Sequence, residues 1–281
     1  MTFQAAIAPK ITDFFWPSGV ATTQDSNGKF VRLALMTAMM SVVFEKSTKL
    51  AKYNFDQGYE PLIMLAGMAA TLPFVLFEKY SRIAILLFAL LLAPTVYTNW
   101  ATLANHSWLA VWAIPVALLF SKFWDDPLYA NYLRITLGVV MLAAFAQKVL
   151  AGTYWDGSYI AYLSYYGSPT ERMFQFLCTD ATLQVPCGWH RFIGIFIMGW
   201  QFLVGILLLA GVRSLLFLFV EISFLLGAGL YADEMNFQVL NIALLCIAFR
   251  VGMSYRLFSI CVVLLVVDLH GIGEFVEHVF R

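Results

Sequence analysis

Residues 213–231 read RSLLFLFVEISFLLGAGLY, an apolar run in which Arg213 and Glu221 are the only charged residues. A helix needs about 20 such residues to cross the hydrocarbon core of a bilayer. Comparable runs give nine predicted membrane helices, at 31–47, 61–77, 82–98, 108–121, 134–151, 192–211, 213–231, 236–250 and 256–271. The sequence therefore predicts an all-α, polytopic integral membrane bundle.

The composition excludes other classes of protein. Of the 281 residues, 61% are hydrophobic and only 12% are charged, whereas about a quarter of the residues of a soluble domain are charged. The 17 basic and 17 acidic residues cancel and form no basic tract, so a nucleic-acid partner is not expected. The lipid bilayer is the predicted environment.

Basic residues in the connecting segments indicate the orientation. Ten Lys and Arg residues fall on one predicted face and seven on the other, and the more basic face is normally cytoplasmic. We expect a cytoplasmic N-terminus and an external C-terminus. The chain then divides into a cytoplasmic or interfacial segment (1–30), a transmembrane domain (31–271) and a short tail (272–281).

The cysteines fall into two groups. Cys178 and Cys187 flank a polar stretch of the longest loop, on the predicted external face, where the environment is oxidising; we expect a disulfide there, and two free thiols are the alternative. Cys246 and Cys261 lie within apolar runs and are expected to be buried. The histidines lack ligand spacing, so no metal is predicted.

Polar residues concentrate on the predicted external face, at 99–108 and 147–159. Lys148 ends an apolar run: it either extends its amine to the interface, or holds a partly dehydrated amine that acts as a general base. His106 either bonds a backbone carbonyl where Asn105 or Ser107 caps a helix, or belongs to a site. These readings stay open on local sequence alone.

Glu221 is the second anomaly, because a carboxyl group within a membrane helix is costly. We expect it to face the bundle interior and either to be protonated or to pair with Lys148, Lys46 or Lys49. Glu221 can serve either as a structural hydrogen bond between two helices or as a contact to a ligand, and the sequence does not decide between these roles. Asn236, after Asp233 and Glu234 on the external face, can join the cluster near Lys148.

The segment 158–174 is too short and too polar to cross the bilayer. Its aromatic residues are typical of membrane interfaces. We expect an interfacial or re-entrant helix that covers a hydrophobic cavity at the external mouth. Such a cavity would suit a lipid-soluble ring compound.

Five stretches, in order, resemble the vitamin K-dependent gamma-carboxylase and its bacterial relatives, the horizontally transferred transmembrane (HTTM) domain proteins. They are the first predicted span with its FEKSTK exit (32–49), KYSRI (79–83), NHSWL (105–109), the Lys…Trp-x-Gly segment (148–157) and MNFQ (235–238). The resemblance covers nearly the whole chain and implies a multi-pass protein of a bacterial inner (plasma) membrane.

The resemblance implies that Lys148 deprotonates a vitamin K hydroquinone, here of the menaquinol type, and that His106 assists near the reacting centre. In the carboxylase, oxygen addition then produces a base strong enough for glutamate carboxylation. The expected quinone or substrate contacts are Asn105, Trp155, Gly157, Tyr159, Glu221 and Asn236.

Two departures weaken the expectation of carboxylation itself. The chain ends shortly after the ninth predicted span, where the carboxylase continues into a lumenal domain, and Asp233 replaces a family histidine. Quinol chemistry is compatible with both departures. The alternative from another class is a non-catalytic subunit or assembly partner of a larger membrane complex, and a transporter is a third, weaker reading.

Overall fold

The computed structural model describes residues 24–52, 60–98, 105–165, 178, 185–232 and 234–270. Over these residues the secondary structure is helical, without a strand. The α-helices are α1 (Gln24–Lys52), α2 (Glu60–Thr71), α3 (Glu78–Thr98), α4 (Asn105–Ala113), α5 (Pro127–Ala151), α6 (Ser158–Tyr165), α7 (Gly188–Leu209), α8 (Leu215–Ala232), α9 (Met235–Ala248) and α10 (Tyr255–His270). Short 3-10 turns, Leu72–Leu76 and Pro115–Leu119, extend α2 and α4.

The all-helical class is confirmed for the described residues, and each of the nine predicted runs coincides with a helix. Within the described part of the chain, four helices are long and apolar enough to cross a membrane: Glu78–Tyr97, Pro127–Ala151, Gly188–Leu209 and Leu215–Ala232. The apolar segments Pro61–Leu76, Ser107–Leu119 and Met235–Ala248 are shorter. The count of nine spans and the sides of the two termini stay predictions.

Helix α9 forms the centre of the bundle. All but two of its side chains are buried, because α1, α5, α8 and α10 pack around it. A helix that is apolar on every side is typical of such an interior position. By contrast, α5 and α7 pack through Gly138 and Gly205, where a Cβ atom at Gly205 would lie 2.7 Å from Leu142 Cγ. Small residues allow this close approach of two membrane helices.

Three arginines, Arg32, Arg82 and Arg134, bond backbone carbonyls near the ends of helical segments. Arg32 Nε donates to Leu76 O at 3.1 Å, and Arg82 Nη2 donates to Leu118 O at 3.0 Å. Arg134 Nη1 donates to Leu208 O near the end of α7. Basic side chains stabilise these carbonyl ends, where the helix dipole is negative.

The terminal segments bear on the predicted domain limits. Helix α1 already begins at Gln24, inside the predicted N-terminal segment 1–30. Residues 1–23 and the predicted tail 272–281 lie outside the described part of the chain, as does the second half of the predicted interfacial helix.

Candidate functional site

Lys148 lies in the last turn of α5, where the chain reverses towards α6. Helix α5 ends at Gly152, whose positive φ of 77° lets its N–H donate to Lys148 O at 3.3 Å. Glycine is suited to this left-handed position at a helix end. The turn brings Tyr154 back over the lysine, so that Lys148 Nζ lies 5.2 Å from the centre of the Tyr154 ring.

Tyr154 packs in one group with two further tyrosines, Tyr159 and Tyr231; we call these three residues the tyrosine cluster. The rings of Tyr154 and Tyr159 stack at 4.8 Å with an interplanar angle of 28°. Burial raises the pKa of the Tyr154 and Tyr159 hydroxyls above the ordinary value, and the nearby Glu234 carboxylate raises both pKa values further. Both phenols are therefore neutral at physiological pH, and Glu234 also acts electrostatically on Lys148.

Helix α6 holds the tyrosine cluster in place from one side. The Tyr231 hydroxyl on α8 donates to Ile160 O at 3.0 Å and lies 3.0 Å from Ser164 Oγ, both on α6. Ile160 and Ser164 are buried. A helix is therefore present over 158–165 of the segment predicted to be interfacial, and it packs against the aromatic group beside Lys148; its position at the interface stays a prediction.

The predicted turn residues Trp155 and Gly157 have different environments. Trp155 is 45% exposed, which suits an interfacial aromatic residue more than a buried ligand contact. Gly157 has a φ of 81° and packs so closely on α7 that a Cβ atom would lie 2.5 Å from Arg191 N. Next to it, Asp156 Oδ1 accepts the Ser158 N–H at 2.8 Å, and the hydrogen bonds from Ser158 lower the pKa of that carboxyl group.

A second polar group, which the sequence analysis missed, joins α1 to α4. The buried Glu45 carboxylate accepts a hydrogen bond from Ser107 Oγ at 3.0 Å. Lys46 Nζ lies 3.5 Å from the same Ser107 oxygen and 4.0 Å from Glu45 Oε1. The sequence feature that could have indicated this group is the adjacent pair of charged residues, Glu45 and Lys46, near the end of the apolar run 31–47.

His106 and Asn105 begin α4 directly before Ser107, but their side chains lie outside the described residues. The backbone thus places the first turn of α4 beside the Glu45 carboxylate. Asn236 lies near α1 as well, since its backbone carbonyl accepts a hydrogen bond from Ser41 Oγ, one turn before Glu45. Its side-chain oxygen accepts the Phe237 N–H.

Glu221 is buried in the bundle interior, as expected, but its hydrogen-bond partner is neutral. Trp200 Nε1 on α7 donates to Glu221 Oε2 at 2.8 Å. The carboxyl oxygen Oε1 has no hydrogen-bond partner within the described parts of the chain. The structure thus supplies an indole where the sequence suggested Lys148, Lys46 or Lys49; the side chain of Lys49 lies outside the described residues.

Cys178 and Cys187 form a disulfide, in agreement with the first of the two readings, with their Cα atoms 5.9 Å apart. The two cysteines belong to the same buried group as Tyr154 and Tyr159. The disulfide therefore adjoins the tyrosine cluster. Cys246 and Cys261 are free and buried, as predicted.

No known protein family, curated protein or solved structure matches the chain.

Proposed function

We propose that the protein is a bacterial inner-membrane enzyme of the HTTM family in which Lys148 removes a proton from an isoprenoid quinol. The observation that carries the proposal is the position of the Lys148 amine, at the end of a helix able to cross a membrane and against the Tyr154 ring. The nine-span topology with an external site belongs to the same proposal.

The residues around Lys148 suit a ring compound with an acidic hydroxyl group. The stacked pair Tyr154 and Tyr159 presents a flat aromatic surface, on which another ring can pack. In the proposed reaction the Lys148 amine accepts the proton, and the Glu234 carboxylate stabilises the resulting ammonium group. When bound, the quinol supplies the phenolic hydroxyl and the reducing equivalents.

Two further features support a site on this side of the bundle. The packing of α6 on α8 through Tyr231 excludes water from one flank of the tyrosine cluster, and a low-water environment strengthens charge interactions. His106 is proposed as the polarising partner, because the first turn of α4 lies next to the buried Glu45–Ser107 hydrogen bond. Asn236, Trp155 and Gly157 are proposed to shape the rim.

The test is quinol-dependent oxygen consumption in membrane vesicles that contain either the wild-type protein or Lys148→Met. Loss of a positioned general base lowers turnover by about 100-fold or more, and we expect this loss with normal membrane insertion. The matched control is Lys29→Met, since Lys29 Nζ also lies over a tyrosine ring, 5.3 Å from the centre of Tyr255. We expect Lys29→Met to retain wild-type turnover.

Unchanged turnover in Lys148→Met would refute the catalytic role of this lysine. If the wild-type protein shows no quinol-dependent activity and purifies in mild detergent with stoichiometric partner subunits, the function is that of a non-catalytic membrane subunit. In that case Lys148 stabilises the end of α5 through the helix dipole.

A further inference from the structure

Three side chains that can bind a metal meet at the start of α7. One ligand atom each from Cys178, Cys187 and His190 lies within 4.8 Å of the other two. Cys178 and His190 are buried, and Cys187 is half-buried. The proposed quinol reaction uses none of the three residues.

The hydrogen bonding of His190 defines its chemical state. Its Nδ1 atom accepts the backbone N–H of Cys187 at 3.2 Å, so Nδ1 carries a lone pair and, in the neutral ring, the proton is on Nε2. An unprotonated imidazole nitrogen is the form that a metal ion requires. The Nδ1 lone pair of His190 therefore points towards Cys187, which carries one of the two sulfur atoms.

Reduction of the disulfide would complete a ligand set. A dithiol attacks one sulfur atom and the S–S bond breaks; the reductant closes to its own disulfide, and two electrons remain on Cys178 and Cys187 as thiolates. The two protons of the dithiol pass to solvent. Two thiolates and one imidazole are a known zinc ligand set, which leaves the fourth tetrahedral position for water or another ligand.

The required rearrangement is small. With Zn–S bonds of about 2.3 Å, tetrahedral geometry sets the two sulfur atoms about 3.8 Å apart. The Cα atoms, 5.9 Å apart, allow this separation by side-chain rotation. The metal would compete with the Cys187 N–H for the Nδ1 lone pair, at the cost of one hydrogen bond at the helix start.

We infer that reduction of the Cys178–Cys187 disulfide converts this group into a Cys2His site for zinc or a similar thiophilic divalent cation. The site adjoins the tyrosine cluster, because both cysteines pack in the same buried group as Tyr154 and Tyr159. Metal occupancy would therefore depend on the redox state of the compartment that this end of the bundle faces. The inference does not depend on the proposed quinol chemistry.

The test uses the full chain in detergent, with Co²⁺ alone as the probe. One sample is reduced with a phosphine, which itself becomes the phosphine oxide, and the other is left oxidised. We expect the reduced protein to bind one equivalent of Co²⁺ with a thiolate-to-cobalt charge-transfer band and tetrahedral ligand-field bands. The oxidised protein should show neither. Absence of these bands from the reduced protein would overturn the inference, whether or not its helices persist.

Variants show whether the three side chains are the ligands. Cys178→Ser and His190→Ala should each weaken Co²⁺ binding by about 100-fold or more, since even changes outside the ligand set cost 10- to 100-fold. Cys178→Ser leaves the Cys187–His190 hydrogen bond intact, which controls for damage to the start of α7. Cys246→Ala, which removes a free and buried thiol elsewhere, should bind as the wild type does. Wild-type affinity in either ligand variant would contradict the assignment.

Discussion

Glu221 shows how a carboxyl group is accommodated within an apolar helix when its neighbour is an indole. Trp200 donates a hydrogen bond of 2.8 Å to one carboxyl oxygen, and the rings of Phe196, Trp200 and Phe224 pack against one another as a group of three. The hydrogen bond joins α7 to α8, so its free energy belongs to the packing of these two helices.

A double-mutant cycle measures this hydrogen bond. Trp200→Phe retains an aromatic ring that packs on Phe196 and Phe224 but removes the donor, and we expect it to destabilise the protein by roughly 1–2 kcal/mol. In a Glu221→Leu background, Trp200→Phe should lower the free energy of unfolding by clearly less, because no carboxyl group is then left without a donor. The measurement is the free energy of unfolding in mixed detergent. Equal costs in the two backgrounds would show that the hydrogen bond contributes nothing.

At the residue scale, the sequence predicted where a polar side chain lies along its helix, but it did not predict which side chain it contacts. The sequence places Lys148 at a helix end and Glu221 within a helix, and the structure agrees. The partners Tyr154 and Trp200 depend on a left-handed turn and on the rotation of α7 against α8, which no local pattern encodes. The same reason explains why the link between Glu45 and Ser107 was missed.

At the scale of the elements, the turn between α5 and α6 positions the tyrosine cluster. It contains two glycines with positive φ, Gly152 at 77° and Gly157 at 81°. A Cβ atom would meet nothing within 4 Å at Gly152 but would lie 2.5 Å from the Arg191 backbone nitrogen at Gly157. The two positions thus share a backbone requirement and differ in packing.

Alanine substitution separates these effects. Gly152→Ala should lower the free energy of unfolding by roughly 1–2 kcal/mol, which is the cost of holding a residue with a Cβ atom in the left-handed backbone conformation. Gly157→Ala should cost more, because the backbone of α7 has to move, and it should also disturb the stacking of Tyr154 on Tyr159. The measurements are thermal unfolding and near-ultraviolet circular dichroism of the aromatic residues. An effect of Gly157→Ala no larger than that of Gly152→Ala would contradict the close packing described above.

Hydrophobicity located the helices better than their ends. Each apolar run overlaps a helix, since hydrophobicity decides which segments enter a bundle. The polar start of α1 at Gln24 was missed because it carries no apolar signal. The tightening of α2 and α4 into 3-10 turns occurs at Pro73 and Pro115, where the missing N–H interrupts the regular helix.

At the scale of the whole molecule, the proposed topology predicts termini on opposite sides of the membrane. A phosphatase that is active only outside the cytoplasm should be active when fused after Arg281, and a fluorescent protein that matures only in the cytoplasm should remain dark there. Fusion after Arg213, in the predicted cytoplasmic connection between α7 and α8, should give the reverse pattern. With a cytoplasmic N-terminus, fluorescence from the fusion after Arg281 would require an even number of spans.

The most direct test of the central claim, that the Lys148 end of the bundle binds an isoprenoid quinol, is mass spectrometry of lipids extracted from protein purified in mild detergent. The account predicts a stoichiometric quinone in the wild-type protein, reduced to the membrane background in Tyr154→Leu, which loses the ring that lies over Lys148. The disulfide and the helical content should be unchanged in that variant. Background levels of quinone in the wild type, or equal amounts in both proteins, would contradict the claim.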